Sequence, residues 1–140
     1  MILLDTNIVS EMMRPAPAIE VEAWLGAQPA ASLFISAVTE AELRFGLALL
    51  PDSRRRSQLT QAMEDMLAED FAGRILPFDS AAAAAYVQIA LTRRKAGRPI
   101  AQFDAQIASI ARSRSAILAT RNTRDFDACG IELIDPWSAA

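Results

Sequence analysis

Five short apolar runs, separated by longer stretches with helical spacing, constrain this chain more than any other feature. The runs are Ile2-Leu3-Leu4, Leu33-Phe34-Ile35, Ile75-Leu76-Pro77-Phe78, Ala116-Ile117-Leu118-Ala119 and Glu132-Leu133-Ile134. Each has the length of a buried strand. Between them, apolar residues recur at helical steps, as in Val21, Trp24 and Leu25, or Leu59, Met63, Met66 and Leu67. Predicted helices run from Ile8 to Met13, Ile19 to Ala27, Ala37 to about Leu49, Arg54 to Phe71, Asp79 or Ser80 to about Ala96, and Ile100 to about Ser113. Asp5-Thr6-Asn7, Ser36 and Asp79-Ser80 supply N-caps, while Pro15, Pro51, Gly73 and Gly97-Arg98-Pro99 break the chain. Short strands alternating with helices build a parallel sheet covered on both faces. The expected fold is therefore a three-layer α/β/α domain with a central, mainly parallel sheet of four to five short strands. Its 140 residues suffice for one core, and without a repeat or linker they read as a single domain, 1–140.

Composition removes most kinds of catalysis. The chain has no histidine, and Cys129 is its one cysteine. That excludes an internal disulfide, a Cys/His zinc site and any histidine-based acid–base scheme. Carboxylates, hydroxyls, Lys95 and arginines remain, and carboxylates with water favour Mg²⁺ or Mn²⁺. No signal peptide or membrane span is legible, so a cytoplasmic protein without a membrane partner is expected. A net charge of −3 argues against a dedicated high-affinity nucleic-acid binder, but the arginines are clustered and leave room for local positive patches.

In open parallel sheets, ligands bind at the carboxyl ends of the strands. Asp5 directly follows the first strand, and the Ala116–Ala119 strand runs into Thr120-Arg121-Asn122-Thr123-Arg124-Asp125-Phe126. Glu42 lies about two turns into its helix, on the face marked by Val38, Ala41, Phe45 and Leu49. Asp104 sits beside the buried side expected for Phe103, Ile107, Ile110 and Ala111. Glu40 points elsewhere and reads as solvated. A carboxylate near an apolar face is costly unless it is paired, solvated or metal-bound. Each acid alone fits a helix cap or an ion pair equally well. Jointly they repel one another, which raises some of their pKa values or recruits a divalent cation, and a metal explains the cluster best. Such an ion holds a phosphate and lowers the pKa of water, chemistry that needs no histidine.

Asp5 in ILLDTN, Glu42 in SAVTEAELRFG, Asp104 in FDAQIASIA, Asn122 and Asp125 in ATRNTRDF, and the closing IELIDPW together resemble the PIN-domain ribonucleases, specifically the VapC/FitB-like toxins. The resemblance reaches from the first residues to Trp137. It implies a PIN-like fold and a Mg²⁺- or Mn²⁺-dependent endoribonuclease that hydrolyses RNA, the toxin of a type II toxin–antitoxin module. It also implies a cognate antitoxin protein, whose C-terminal part occupies the active-site groove, and a homodimer. Asp5, Glu42 and Asp104 match the family's core acids and its metal ligands. The fourth polar position falls on Asn122, where many relatives have aspartate, with Asp125 as a nearby acid of the same motif. Whether Asn122 or Asp125 completes the site, and whether one ion or two bind, stay open. Thr6 matches a hydroxyl that supports the first aspartate, and Thr120 is a further polar candidate.

Simpler readings stand beside these. Asp125 also fits a helix cap or a pair with Arg121 or Arg124. Arg54-Arg55-Arg56 reads as a solvated helix face; Arg93, Arg94, Lys95 and Arg98 precede the Asp104 helix and are better placed for phosphate, yet a solvated face is the leading reading for them too. Trp24 and Trp137 read as core or interface residues, Met12 and Met13 as core or dimer contacts, and Cys129 as an inert small residue. Two other functions fit the acids: a catalytically inactive PIN-like module binding RNA or protein, and a phosphatase-like hydrolase. The second asks for another aspartate close behind the first, which Asp5-Thr6-Asn7 lacks.

Overall fold

Alternation along the first strand already separates two layers. In the computed structural model, which describes residues 1–138, β1 (Ile2–Leu4) turns Ile2 and Leu4 to one side and Leu3 to the other. The chain continues through α1 (Thr6–Met12), α2 (Ile19–Gly26), β2 (Leu33–Ser36), α3 (Ala37–Ala48) and α4 (Arg54–Asp65). It then forms β3 (Ile75–Leu76), α5 (Ser80–Lys95), α6 (Gln102–Ser113), β4 (Ile117–Ala119) and β5 (Leu133–Ile134). One core joins Ile2 and Leu4 to Ile8 and Val9 of α1, Val21 of α2, Leu43 of α3 and Met63 of α4. The opposite core joins Leu3 and Leu118 to Ile89 of α5, Ile107 and Ile110 of α6, and Phe126. Met12, Met13, Trp24 and Trp137 pack against the first core.

The five strands lie in the order β3-β2-β1-β4-β5, and every pair is parallel. Ile2 is paired with Leu33 on one side and Ile117 on the other. The winding direction reverses between β1 and β4, so the loops after these two strands diverge and leave a crevice. This is the α/β/α arrangement expected, with the larger of the expected strand numbers. Among the described residues no helix is long and apolar enough to cross a membrane.

Caps begin three helices where the sequence places them, and Ser53 caps a fourth. Asp5, Ser36, Ser53 and Asp79 each accept a backbone N–H at the head of α1, α3, α4 and α5. At the end of α5, Gly97 adopts φ 70°. The Gly97 N–H donates to the Arg94 carbonyl at 3.0 Å and the Arg98 N–H to the Arg93 carbonyl at 2.9 Å, closing the helix with a pair of reversed bonds.

Three helix faces differ from the periodicity. The helix expected over Arg54 to Phe71 stays α-helical only to Asp65 and widens into a π turn over Met66–Asp70. A regular helix would carry position 70 inward below Met63, Met66 and Leu67. The extra residue in the turn directs Phe71 into the core and leaves Asp70 exposed. In α3 the buried side chains are Thr39 and Leu43, while Phe45 and Leu49 are 65% and 69% exposed. The β2–α3 junction and the Ser36 cap set the rotation of this helix, and they override the apolar count. In α6 Phe103 is exposed, and the buried stripe contains Ala105, Ala108 and Ala111, whose small side chains let α6 approach its neighbours closely.

Candidate active site

Asp5 is placed by β1 and held by its surroundings. It is 5% exposed. Its Oδ1 accepts the Thr6 N–H at 2.8 Å, and its Oδ2 accepts the Thr120 hydroxyl at 2.8 Å and the Asn7 amide at 3.3 Å. Burial pushes its carboxyl above the usual range, opposed by the bonds from Thr120 and Thr6 and reinforced by the charges of Glu42 and Asp125. Thr120 directly follows β4 and Asn7 lies in α1, so groups from three places in the chain fix one carboxylate.

Glu42 reaches the same place from α3. Its Oε1 accepts the Thr6 hydroxyl at 2.7 Å, and the Thr39 hydroxyl lies 3.0 Å from that of Thr6. Thr6 has a single hydroxyl proton, so Thr39 donates to Thr6 and Thr6 to Glu42. Asp104, in the first turn of α6, is half-buried, and its carboxyl is pushed up to about 6. Burial is the largest cause, followed by the negative charges of Asp5, Asp125 and Glu42, with Arg93 opposing them.

Asp5, Glu42, Asp104 and Asn122 thus line one open cleft of about 550 Å³ at the β1–β4 crevice. Asn122 donates its backbone N–H to the Thr120 hydroxyl at 3.0 Å and starts the 3₁₀ turn Thr123–Phe126. Asp125 stands in that turn, outside the cleft lining, yet its charge raises both Asp5 and Asp104. Among the described residues it forms no ion pair with Arg121 or Arg124. Nor do three or more acidic or thiol side chains among them stand close enough together to hold a metal ion by themselves. The donor set still fits Mg²⁺, which keeps several of its waters and is held through one or two carboxylates.

One expectation about charge is corrected. Arg93 is a buried structural residue with no open path to phosphate: it is 6% exposed, and its guanidinium donates to the carbonyls of Arg98, Asp125 and Asp127 at 2.7, 2.8 and 3.0 Å. The 3₁₀ turn after β4 needs those bonds, because no strand partner satisfies its carbonyls. Glu40 pairs on the surface with Arg44 at 2.8 Å. Cys129 is buried against Arg93, in keeping with an inert role. Asn7, Arg121 and Trp137 also line the cleft. Sequence reasoning assigned none of them to it, although Asn7 follows Asp5 closely and Arg121 and Trp137 stand in the quoted ATRNTRDF and IELIDPW motifs.

The raised Asp104 carboxyl has a consequence for stability in chelator-treated protein. Between the ordinary value of 3.8 and about 6, the folded state holds a proton that the unfolded state has released. Stability therefore falls as pH rises through that window. A full shift of this size is worth about 3 kcal/mol for a buried group. Solvent screening at a half-open side chain reduces the expectation to about 1 kcal/mol. Asp104→Asn should unfold at higher urea than wild type at pH 7.5 and at equal urea near pH 4. A difference that does not change with pH would contradict this origin.

A parallel α/β/α domain with carboxylates gathered where the winding reverses defines the class. Residues 2–131 match the PIN domain. The chain is 40% identical to the VapC ribonuclease Y4jK of Sinorhizobium fredii, over 100% of both chains. It is 43% identical to Toxin FitB of Neisseria gonorrhoeae, over 98% of this chain and 99% of that one. A solved structure of FitAB bound to a DNA fragment superimposes with a TM-score of 0.94 and 42% identity, covering 100% of this chain and 98% of that one. The chain belongs to the PIN-domain family, and its homologues there are VapC/FitB toxins.

Proposed function

We propose that this chain is the toxin of a type II toxin–antitoxin pair and a Mg²⁺- or Mn²⁺-dependent endoribonuclease acting in the cytoplasm. The observation that carries the reading is the convergence of Asp5, Glu42 and Asp104, from three separate elements, on one cleft at the β1–β4 crevice. The ribonuclease name of a full-length relative supports the substrate class. When bound, the ion would supply Lewis-acid stabilisation of a phosphate and activation of water. Asp5, Glu42 and Asp104 would hold it, partly through its own waters, with Asn122 or Asp125 completing the polar ring.

The protein's own residues prepare that site. Thr120, Thr6 and Asn7 orient Asp5, and the Thr39–Thr6–Glu42 chain directs the Glu42 carboxylate. Mutual repulsion among the acids would be relieved by a bound cation, which favours a metal over a neutral ligand. Beside the cleft, and sharing Thr6, Ser10, Arg14 and Glu42 with it, runs a groove of about 450 Å³ between α1, α3 and α4 that includes Leu47 and Leu59. It is suited to an antitoxin segment whose arginine would meet the carboxylates. Exposed Val87 and Leu91 on α5 and Phe103 on α6 supply apolar surface that a homodimer would cover.

The test is cleavage of a mixed RNA pool by purified, antitoxin-free protein, with Mg²⁺, with Mn²⁺ and with excess chelator. Cutting with either ion, lost in chelator and restored by adding the ion back, is the expected result. Chelator-resistant cutting would remove the metal from the reading. A folded protein that binds RNA without cutting it would favour the inactive module.

A further inference from the structure

Two arginines line the acidic cleft, and they differ in what holds them. Arg14 is paired with Glu11 at 3.4 Å. The Arg121 guanidinium instead lies over the Trp137 ring, 4.8 Å from its centre. Arg121 follows β4 and Trp137 follows β5, so neighbouring strands deliver the two side chains to the same edge. Their backbones are tied down: the Arg121 N–H donates to Asn7 Oδ1 at 3.3 Å, the Thr120 N–H to the Ile134 carbonyl at 2.9 Å, and the Trp137 N–H to Asp135 Oδ1 at 2.9 Å.

An arginine beside several carboxylates ordinarily folds onto one of them, because the guanidinium fork matches a carboxylate. Among the described residues Arg121 forms no ion pair. The indole takes the flat face of the cation, an attraction that competes with the cleft carboxylates. Stacking leaves the N–H edge of the guanidinium free to donate. The cleft thus keeps a fixed cation at its rim without neutralising the carboxylates at its floor.

We propose that Arg121, held by Trp137, binds a backbone phosphate of the RNA strand that enters this cleft, with its guanidinium edge donating to a non-bridging oxygen. The inference rests on the ribonuclease reading and adds to it the residue that overcomes repulsion between an acidic site and a polyanion. Trp137 is a positioning residue that acts through Arg121.

The experiment compares wild type with Arg121→Ala, Arg121→Lys, Trp137→Leu and Trp137→Phe in two measurements on a fluorescein-labelled, single-stranded RNA of mixed sequence. Cleavage rates with Mg²⁺ give kcat and KM, and anisotropy in chelator gives RNA binding as a function of KCl. Arg121→Ala is expected to raise KM about tenfold, the scale of one charge-assisted hydrogen bond, with little change in kcat. The slope of log affinity against log salt becomes shallower by about 0.7, one phosphate contact on a single strand. Arg121→Lys restores the slope but only part of KM, since a point charge lacks the fork and the stack. Trp137→Leu raises KM with the salt slope kept, and Trp137→Phe recovers most of that loss.

Unchanged KM and salt slope in Arg121→Ala would overturn the proposal, as would a loss confined to kcat. Should Arg121→Ala fail to fold by circular dichroism, Arg121→Lys carries the decision: a KM equal to wild type overturns the proposal, and a raised one supports it. A wild-type protein that neither binds nor cuts the RNA defeats the ribonuclease reading itself and this inference with it. That outcome is distinguishable because it precedes any comparison of Arg121 variants.

Discussion

Asp5→Asn is expected to cut RNA about 10³-fold more slowly than wild type, the scale of losing a preorganised electrostatic group at a reacting centre. Its stability in chelator should nonetheless stay within about 1 kcal/mol of wild type. The two effects separate because the role proposed for Asp5 is chemical, while its burial works against folding. The buried carboxylate resists ionisation, so at neutral pH its charge opposes the folded state. Asparagine removes that charge and keeps an oxygen for the Thr6 N–H, which now reaches Oδ1 at 2.8 Å. The bonds from Thr120 and the Asn7 amide to Oδ2 are lost, and Thr120 already accepts from Asn7 and Asn122, so its hydroxyl has no easy replacement. Gain and loss are of similar size. Rates on the RNA pool and urea melts of the same preparations check both halves. A variant that cuts at the wild-type rate would remove Asp5 from the site, and one that unfolds outright would make it a structural residue.

The second large effect falls on stability. Arg93→Ala should cost about 3 kcal/mol in unfolding free energy, since a buried cation and its charge-assisted bonds to three carbonyls disappear together. Those carbonyls belong to Arg98, Asp125 and Asp127, so the residue pins the end of α5 to the turn that carries Asp125. Arg93→Lys should recover less than half the loss, because one ammonium cannot reach all three carbonyls that the guanidinium fork donates to. Urea unfolding at pH 7.5 measures it, and a cost below about 1 kcal/mol would mean that water replaces the guanidinium without penalty.

Arg93 also marks where reading the sequence stops working. In RRKAGR it has the same appearance as Arg94 and Lys95, which are exposed. Only the direction of its helix face, set by the packing of α5 against α6, decides that it turns inward. The same cause explains Phe45, Leu49 and Phe103: their spacing marks an apolar face, but the junctions of α3 and α6 with the sheet rotate the helices so that these rings and chains meet solvent. The π turn after Asp65 is equally invisible, since it exists to bring Phe71 into a core assembled from distant elements.

What the sequence determined by itself is local or periodic: the strand runs, the caps at Asp5, Ser36 and Asp79, the break at Gly97, and hence the alternation that makes the sheet parallel. These depend on a few neighbouring residues, and neighbours are what a sequence displays. It also offered Asp5, Glu42 and Asp104 as acids at strand ends or near apolar faces, each open to a cap or ion-pair reading alone, and the family resemblance added Asn122 and Asp125. Only the tertiary structure decided that the β1–β4 reversal gathers the first four in one cleft, that Asp125 acts there by charge from outside the lining, and that Arg121 rests on Trp137. Such pairings join residues up to 115 positions apart, as Asp5 and Thr120 are. Their geometry follows from how the helices settle on the sheet, a cooperative outcome that no single stretch of sequence encodes.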